Sequence, residues 1–220
     1  MAFAQAGPES DEAMALLEEE AALLSPRAAQ KRRVEFTLGR GCARMALAAL
    51  DPDLATFPVT RRGDRAPRWP RGVVGAITHN RQRAAAAVAL KRDVLGLGLD
   101  MEVLRAPKEG LVRRILRPAE IEALDAWPEE ERALRLMLAF SAKESLFKAL
   151  HPLREVYLGF QDAEIELPEE IPPGGTESGT GRLEWRLCVD YGPGLPEGFR
   201  GPGAFGWIGD TVLTGVWVEA

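Results

Sequence analysis

The chain has 220 residues, 46% hydrophobic and 28% charged, with a formal net charge of −5. That is enough apolar material for one large or two small folded domains, and it excludes a disordered or fibrous chain. Two Cys (Cys42, Cys188) and two His (His79, His151) exclude a disulfide framework and argue against a zinc site built on Cys and His.

Residues 10–24 read as a short acidic helix with Leu16, Leu17, Leu23 and Leu24 as its apolar stripe. Pro26 suits the start of a second helix. Phe36, Leu38, Met45, Leu47 and Leu50 carry that helix to a stop at Asp51-Pro52. Residues 57–72 form a loop rich in Pro, Gly and Arg. Residues 73–78, 84–90 and 94–101 read as three strands, the first two hairpinned. Helices follow over 109–116, from Pro118, and from Pro128 to about 150, where Pro152 is expected to stop the chain. Strands are expected at 163–167, 183–190, 205–208 and 212–218, with 168–182 and 192–203 as loops. Helices followed by strands, twice over, predict an α+β fold with a hint of duplication. No run approaches the roughly 18 apolar residues of a spanning helix. Residues 1–20 carry neither the basic region nor the apolar core of a secretion signal, so a cytoplasmic protein is expected.

Charge is unevenly placed. Residues 27–71 carry a net +7 and residues 155–220 a net −9. A basic segment in an acidic chain is compatible with a local anion site or with a solvated helix face, and it speaks against nucleic acid as the partner. Arg33, Arg40 and Arg44 share a helical stripe, Lys31 and Arg32 lie beside it, and Arg62 and Arg65 follow in the loop.

In Gly98-Leu99-Asp100-Met101-Glu102, strand alternation points Asp100 and Glu102 to one side. Two such acids are either a solvated strand end or hard-cation ligands that phosphate oxygens complete. In Phe140-Ser141-Ala142-Lys143-Glu144-Ser145-Leu146-Phe147-Lys148, Glu144 and Lys148 are four apart on a helix with apolar flanks. A surface ion pair is one reading. A phosphate–metal site, with Glu144 on the ion and both lysines on phosphate, is the other. Gly75-Ala76-Ile77-Thr78-His79-Asn80 is a strand ending in a polar triplet. There His79 either caps a turn or donates to a phosphate.

Together GLDME, FSAKESLFK and GAITH resemble the motifs of the double-length, monomeric 4′-phosphopantetheinyl transferases. The segments KRRVEFTLGRGCAR and HPLREVYLGFQDA look like the siderophore-pathway and actinobacterial branch. The resemblance spans roughly residues 25–165. Met101 and Thr78 depart from commoner residues without removing a ligand.

The resemblance implies two similar α+β halves, 1–98 and 99–220, related by a pseudo-twofold axis with coenzyme A between them. It implies Mg²⁺ (Mn²⁺ as a substitute) on Asp100, Glu102 and Glu144, and Lys143 and Lys148 on the pyrophosphate. It further implies Thr78, His79, Arg32, Arg40, Arg62 and Arg65 around the adenosine end and its 3′-phosphate. The implied reaction transfers phosphopantetheine to a serine of an apo acyl or peptidyl carrier protein and releases 3′,5′-ADP. Asp100, Glu144 and Lys148 would be its catalytic residues, with Glu144 as metal ligand, base or both. Two rivals stand beside it: another Mg²⁺-dependent nucleotide phosphohydrolase, weakened by the lack of a GxxxxGK[ST] loop, and a non-enzymatic module that binds CoA or carrier proteins.

Overall fold

The computed structural model describes residues 1–7, 15–80, 83–104, 110–171 and 178–220. Its organisation follows from where alanine and glycine stand. The run AAAAVAL is strand β3 (Ala84–Leu90), buried on both faces. Ala84, Ala86 and Val88 pack towards helix α2 (Gln30–Leu50). Ala85, Ala87 and Ala89 pack towards strand β4 (Val94–Val103). Small side chains let helix and strand both come close, so alanine here serves a sandwiched strand rather than a helix.

β3 is the centre of a three-stranded antiparallel sheet, flanked by β1 (Ala2–Ala6) and β2 (Val73–His79). β4 is the edge of a second antiparallel sheet of five strands. Its partners in spatial order are β8 (Thr211–Glu219), β7 (Arg200–Ile208), β6 (Ser178–Leu187) and β5 (Ala163–Glu166).

Along β4, Leu97, Leu99 and Met101 face the first sheet. The alternate residues Gly96, Gly98 and Asp100 face the long helix α5 (Glu129–Arg154). A Cβ at Gly98 would stand 1.7 Å from the carbonyl oxygen of Ser145, and one at Gly96 2.5 Å from that of Ala149. The two glycines are therefore the track on which α5 lies. The far side of the five-stranded sheet's core is closed by Trp185, Leu187, Phe205 and Val216, with Trp185 fully buried. The expected α+β class is observed as this pair of sheets, each with a long helix against it.

Several boundaries differ from expectation. Of the helix expected over 10–24, residues 10–14 lie outside the described residues. Only one turn, α1 (Glu18–Ala21), is helical, with Leu16 and Leu17 outside it. α2 begins at Gln30 rather than at Pro26, because residues 25–28 form a turn whose carbonyls Arg33 ties down (Ser25, Pro26, Ala28). Met45, assigned to its core, is 42% exposed.

Of the expected 109–116 helix, Glu109 lies outside the described residues and α3 covers Val112–Ile115; α4 is Pro118–Asp125. Pro152 does not stop α5. It sits in the last turn, and the helix runs on to Arg154, with Glu155 capping it in the left-handed region (φ 56°).

Residues 178–182 and 200–203, expected as loop, are strand. Their glycines lie under aromatic rings: a Cβ at Gly179 would stand 2.2 Å from Trp207, at Gly181 2.4 Å from Phe205, and at Gly201 2.1 Å from Trp185. β1 carries too few β-formers to be noticed, and pairing with β3 makes it a strand.

Candidate active site

The close seating of α5 on Gly96 and Gly98 brings Ser141, Glu144, Ser145 and Lys148 to the polar end of β4. Asp100 is buried there. Lys148 Nζ donates to its Oδ1 at 2.6 Å and to the Leu99 carbonyl at 3.1 Å. Ser141 Oγ donates to its Oδ2 at 3.0 Å. The hydroxyls of Ser141 and Ser145 lie 2.8 and 2.9 Å from that of Thr214 on β8, which pairs with Asp100 in the sheet. Ser145 also donates to the Thr214 carbonyl at 3.0 Å. Sequence reasoning missed this hydroxyl set. Its signal was present, since Ser141 and Ser145 are four apart on the Asp100 face of the helix.

Burial pushes the Glu144 carboxyl up, the Asp100 carboxylate adds to the rise, and Lys148 partly offsets it. Glu102 lies two residues beyond Asp100 on the same side of β4, partly buried.

Among the described residues, no three His, Cys, Asp or Glu side chains are grouped to hold a metal ion by themselves. The donors gathered here are carboxylate oxygens, and the Asp100 field on Glu144 is what a cation between them would relieve. That set suits a hard divalent ion whose shell is completed by phosphate oxygens or water. It therefore fits Mg²⁺.

The structure does not bring Lys143 to this cluster. Its side chain is buried on another side of α5. Nζ donates to Glu120 Oε2 at 2.6 Å, to the Phe160 carbonyl at 2.8 Å and to the Ile115 carbonyl at 2.9 Å. All three ammonium protons are engaged. This corrects the expectation that Lys143 contacts phosphate. Spacing along the helix does not reveal which neighbours satisfy a lysine.

A cavity of about 580 Å³ is lined by the 62–69 loop, β2, β4 and the C-terminal end of α5. Trp69, Pro67, Val74 and Ala76 wall one side; Gly96, Leu97, Phe147, Lys148 and His151 wall the other. Its charged lining comprises Arg62, Arg65, Arg68, Lys91 and Lys148 against Asp64. Such a surface attracts an anionic ligand with apolar parts. Trp69 is fixed by donating Nε1–H to the Gly75 carbonyl at 2.9 Å. Arg62 reaches Glu155 Oε1 at 3.0 Å. Arg65 is held in the left-handed region (φ 72°). Lys148 belongs both to this wall and to the Asp100 pair.

On α2, Arg40 is buried with its guanidinium 4.6 Å from the Phe36 ring centre. One nitrogen reaches the Thr60 carbonyl at 3.4 Å, while Nε has no partner among the described residues. Burial lowers its pKa to about 10; Glu20 opposes the fall, and Arg32 and Arg61 add to it. Arg61 was not foreseen. Arg32 is exposed, 5.8 Å from the same ring.

His79, at the end of β2, lies with Nδ1 4.0 Å from Glu35 Oε2. Burial pulls its pKa down and Glu35 opposes this; Arg32, Lys148 and Lys31 lower it further. His79 thus faces cations of both helices. Thr78 is buried on β2 beside it. Two of the basic stripe's arginines are committed elsewhere: Arg33 to the turn before α2, and Arg44 to Glu20 in a buried ion pair.

A family profile described as the 4′-phosphopantetheinyl transferase N-terminal domain matches residues 18–89, and one described as the 4′-phosphopantetheinyl transferase superfamily matches residues 96–201. The 4′-phosphopantetheinyl transferase Npt of Nocardia iowensis is 40% identical over 167 residues, 76% of this chain and 72% of that protein. PptT of Mycobacterium tuberculosis, also a 4′-phosphopantetheinyl transferase, is 34% identical over 175 residues, 79% and 73% of the two chains. Enterobactin synthase component D of Salmonella typhimurium is 33% identical over 145 residues, 63% and 56%.

Proposed function

The chain belongs to the 4′-phosphopantetheinyl transferase superfamily, and from that premise we propose that it moves the phosphopantetheine group of coenzyme A to a serine of an apo acyl or peptidyl carrier protein. The observation that carries the assignment of residues is Lys148, which lines the cationic cavity and holds Asp100 at once. Coenzyme A lies in the cavity with its pyrophosphate at Lys148. Its 3′-phosphate is held by Arg40, Arg32, Arg61 and His79, and Arg62 and Arg65 flank the adenosine. Asp100, Glu102 and Glu144 would hold Mg²⁺ (or Mn²⁺), which when bound supplies positive charge to the pyrophosphate oxygens.

The serine oxygen attacks the β-phosphorus, the bond to the leaving phosphate breaks, and 3′,5′-ADP departs. Lys148 donates to the oxygen on which charge grows. Glu144 takes the serine proton, a role that its raised proton affinity suits.

Residues 1–98 and 99–220 divide the labour into an adenosine side and a pyrophosphate side, as pseudo-twofold halves with the boundary inside β4. Both halves stand in one chain, which supports a monomer. The branch of the relatives supports peptide, polyketide or siderophore assembly as the setting. Among the described residues no helix is long and apolar enough to cross a membrane.

The test is the intact mass of an apo carrier protein incubated with this chain, CoA and Mg²⁺. One added phosphopantetheine, absent with EDTA, is expected. Free phosphate release without a mass gain would replace the reading with a phosphohydrolase.

A further inference from the structure

Among the described residues of the acidic N-terminal stretch, Glu20 is the one buried acid, with 0% exposure. Both of its carboxylate oxygens are engaged. Oε1 accepts the Val59 amide at 3.0 Å, and Oε2 accepts the Leu17 amide at 3.1 Å and a guanidinium N–H of Arg44. Arg44 donates its other end to the Ala15 carbonyl at 2.6 Å. One carboxylate thus pins α1, α2 and the start of the 57–72 loop to one point.

The pinned residue, Val59, is fully buried, and the two residues after it belong to the anion cluster. Thr60 gives its carbonyl to Arg40, and Arg61 adds its charge beside Arg40 and is bridged to Pro67 across the loop. Glu20 is also the acid that favours the charged form of Arg40. A buried carboxylate is costly to keep unless it is fully bonded. Here the bonds fix the backbone that carries Arg61 and the Thr60 carbonyl to which Arg40 donates.

We propose that Glu20 is a positioning residue for recognition of the 3′-phosphate of coenzyme A. Through Arg44 and the Val59 amide it holds Thr60 and Arg61 in register with Arg40. This rests on the reading that the Arg40 cluster takes the 3′-phosphate. Glu20 touches no substrate, so its effect is confined to the cluster. It should alter the choice between CoA and dephospho-CoA and leave the chemistry at Lys148 unchanged.

The experiment compares kcat and KM for CoA and for dephospho-CoA in the full chain, using a mass-shift assay on one apo carrier protein. Arg40→Met is the reference variant. Glu20→Gln keeps shape and removes the charge; Glu20→Asp keeps the charge and shortens the reach. Expected for both Glu20 variants is a rise in KM for CoA of about fivefold, with kcat and the KM for dephospho-CoA unchanged.

Equal losses for both substrates, or none for either, with Arg40→Met showing the split, would overturn the positioning role alone. No split in Arg40→Met would instead overturn the 3′-phosphate site, and the proposal with it. If Glu20→Gln fails to fold, Glu20→Asp carries the same comparison, checked by its thermal melt.

Discussion

On α5 and β4 the Asp100 carboxylate is satisfied in advance. Lys148 and Ser141 occupy both oxygens of Asp100, and Thr214 links the two serines behind them. On α2 the opposite holds. Arg40 is buried among Arg32 and Arg61, with one guanidinium nitrogen lacking a partner among the described residues. A satisfied network fixes geometry, and loss of one member leaves another buried and unpaired. A surplus of one sign stores affinity for an ion of the other. The difference teaches that the Asp100 end of the molecule is built for position and the Arg40 end for attraction.

The sharpest break of that contrast is Asp100→Ala. It strips Lys148 and Ser141 of their carboxylate acceptor and should cut transfer by about 10³-fold, read by carrier mass shift. Wild-type turnover would remove Asp100 from the machinery. Glu144→Gln should follow with a loss of about 10²-fold in kcat and little change in KM for CoA, measured by steady-state kinetics.

On the attracting side, Arg40→Met should raise KM for CoA by about tenfold with kcat kept, and leave dephospho-CoA unaffected. Lys143→Met separates structure from binding on α5. It should cost about 3 kcal/mol in urea unfolding, because Glu120 is left buried without its cation, while KM for CoA stays unchanged. A tenfold higher KM without lost stability would return Lys143 to the phosphate.

The smallest effect concerns pH. His79 binds its proton less readily in the fold than in the unfolded chain, because it is buried among cations. Its contribution to stability is complete above the unfolded value of about 6.5 and is lost as pH falls through the lower folded value. His79→Gln should flatten that part of the urea-stability profile, and an unchanged slope would assign it to other groups.

The elements that sequence reasoning found are those with a local cause. The Pro118 and Pro128 helix starts and the strand expected at 73–78 carry their signals within a few residues, whereas the alanine run is a strand because α2 and β4 sandwich it. β6 and β7 were shortened because glycine reads as loop. What makes those glycines strand residues is a ring from a neighbouring strand, and a single segment does not contain that partner. The site divides the same way. Asp100, Glu102, Glu144 and Lys148 stood out by alternation and helical spacing. The commitments of Arg44 to Glu20 and of Lys143 to Glu120 span 24 and 23 residues and depend on which helix face meets which neighbour. Arg61 was hidden among other loop arginines.

Three of the five tryptophans fall into two optical environments. Trp69 lies in the cavity wall with its indole N–H fixed on the Gly75 carbonyl, whereas Trp185 and Trp207 are sealed inside the second sheet's core. A nucleotide entering the cavity should quench or shift emission from Trp69 and leave the sealed pair dark to the event. Unfolding of the second sheet should red-shift the sealed pair. A Trp69→Phe variant should therefore remove the ligand-sensitive part of the emission and leave that of the other four tryptophans, the buried pair among them.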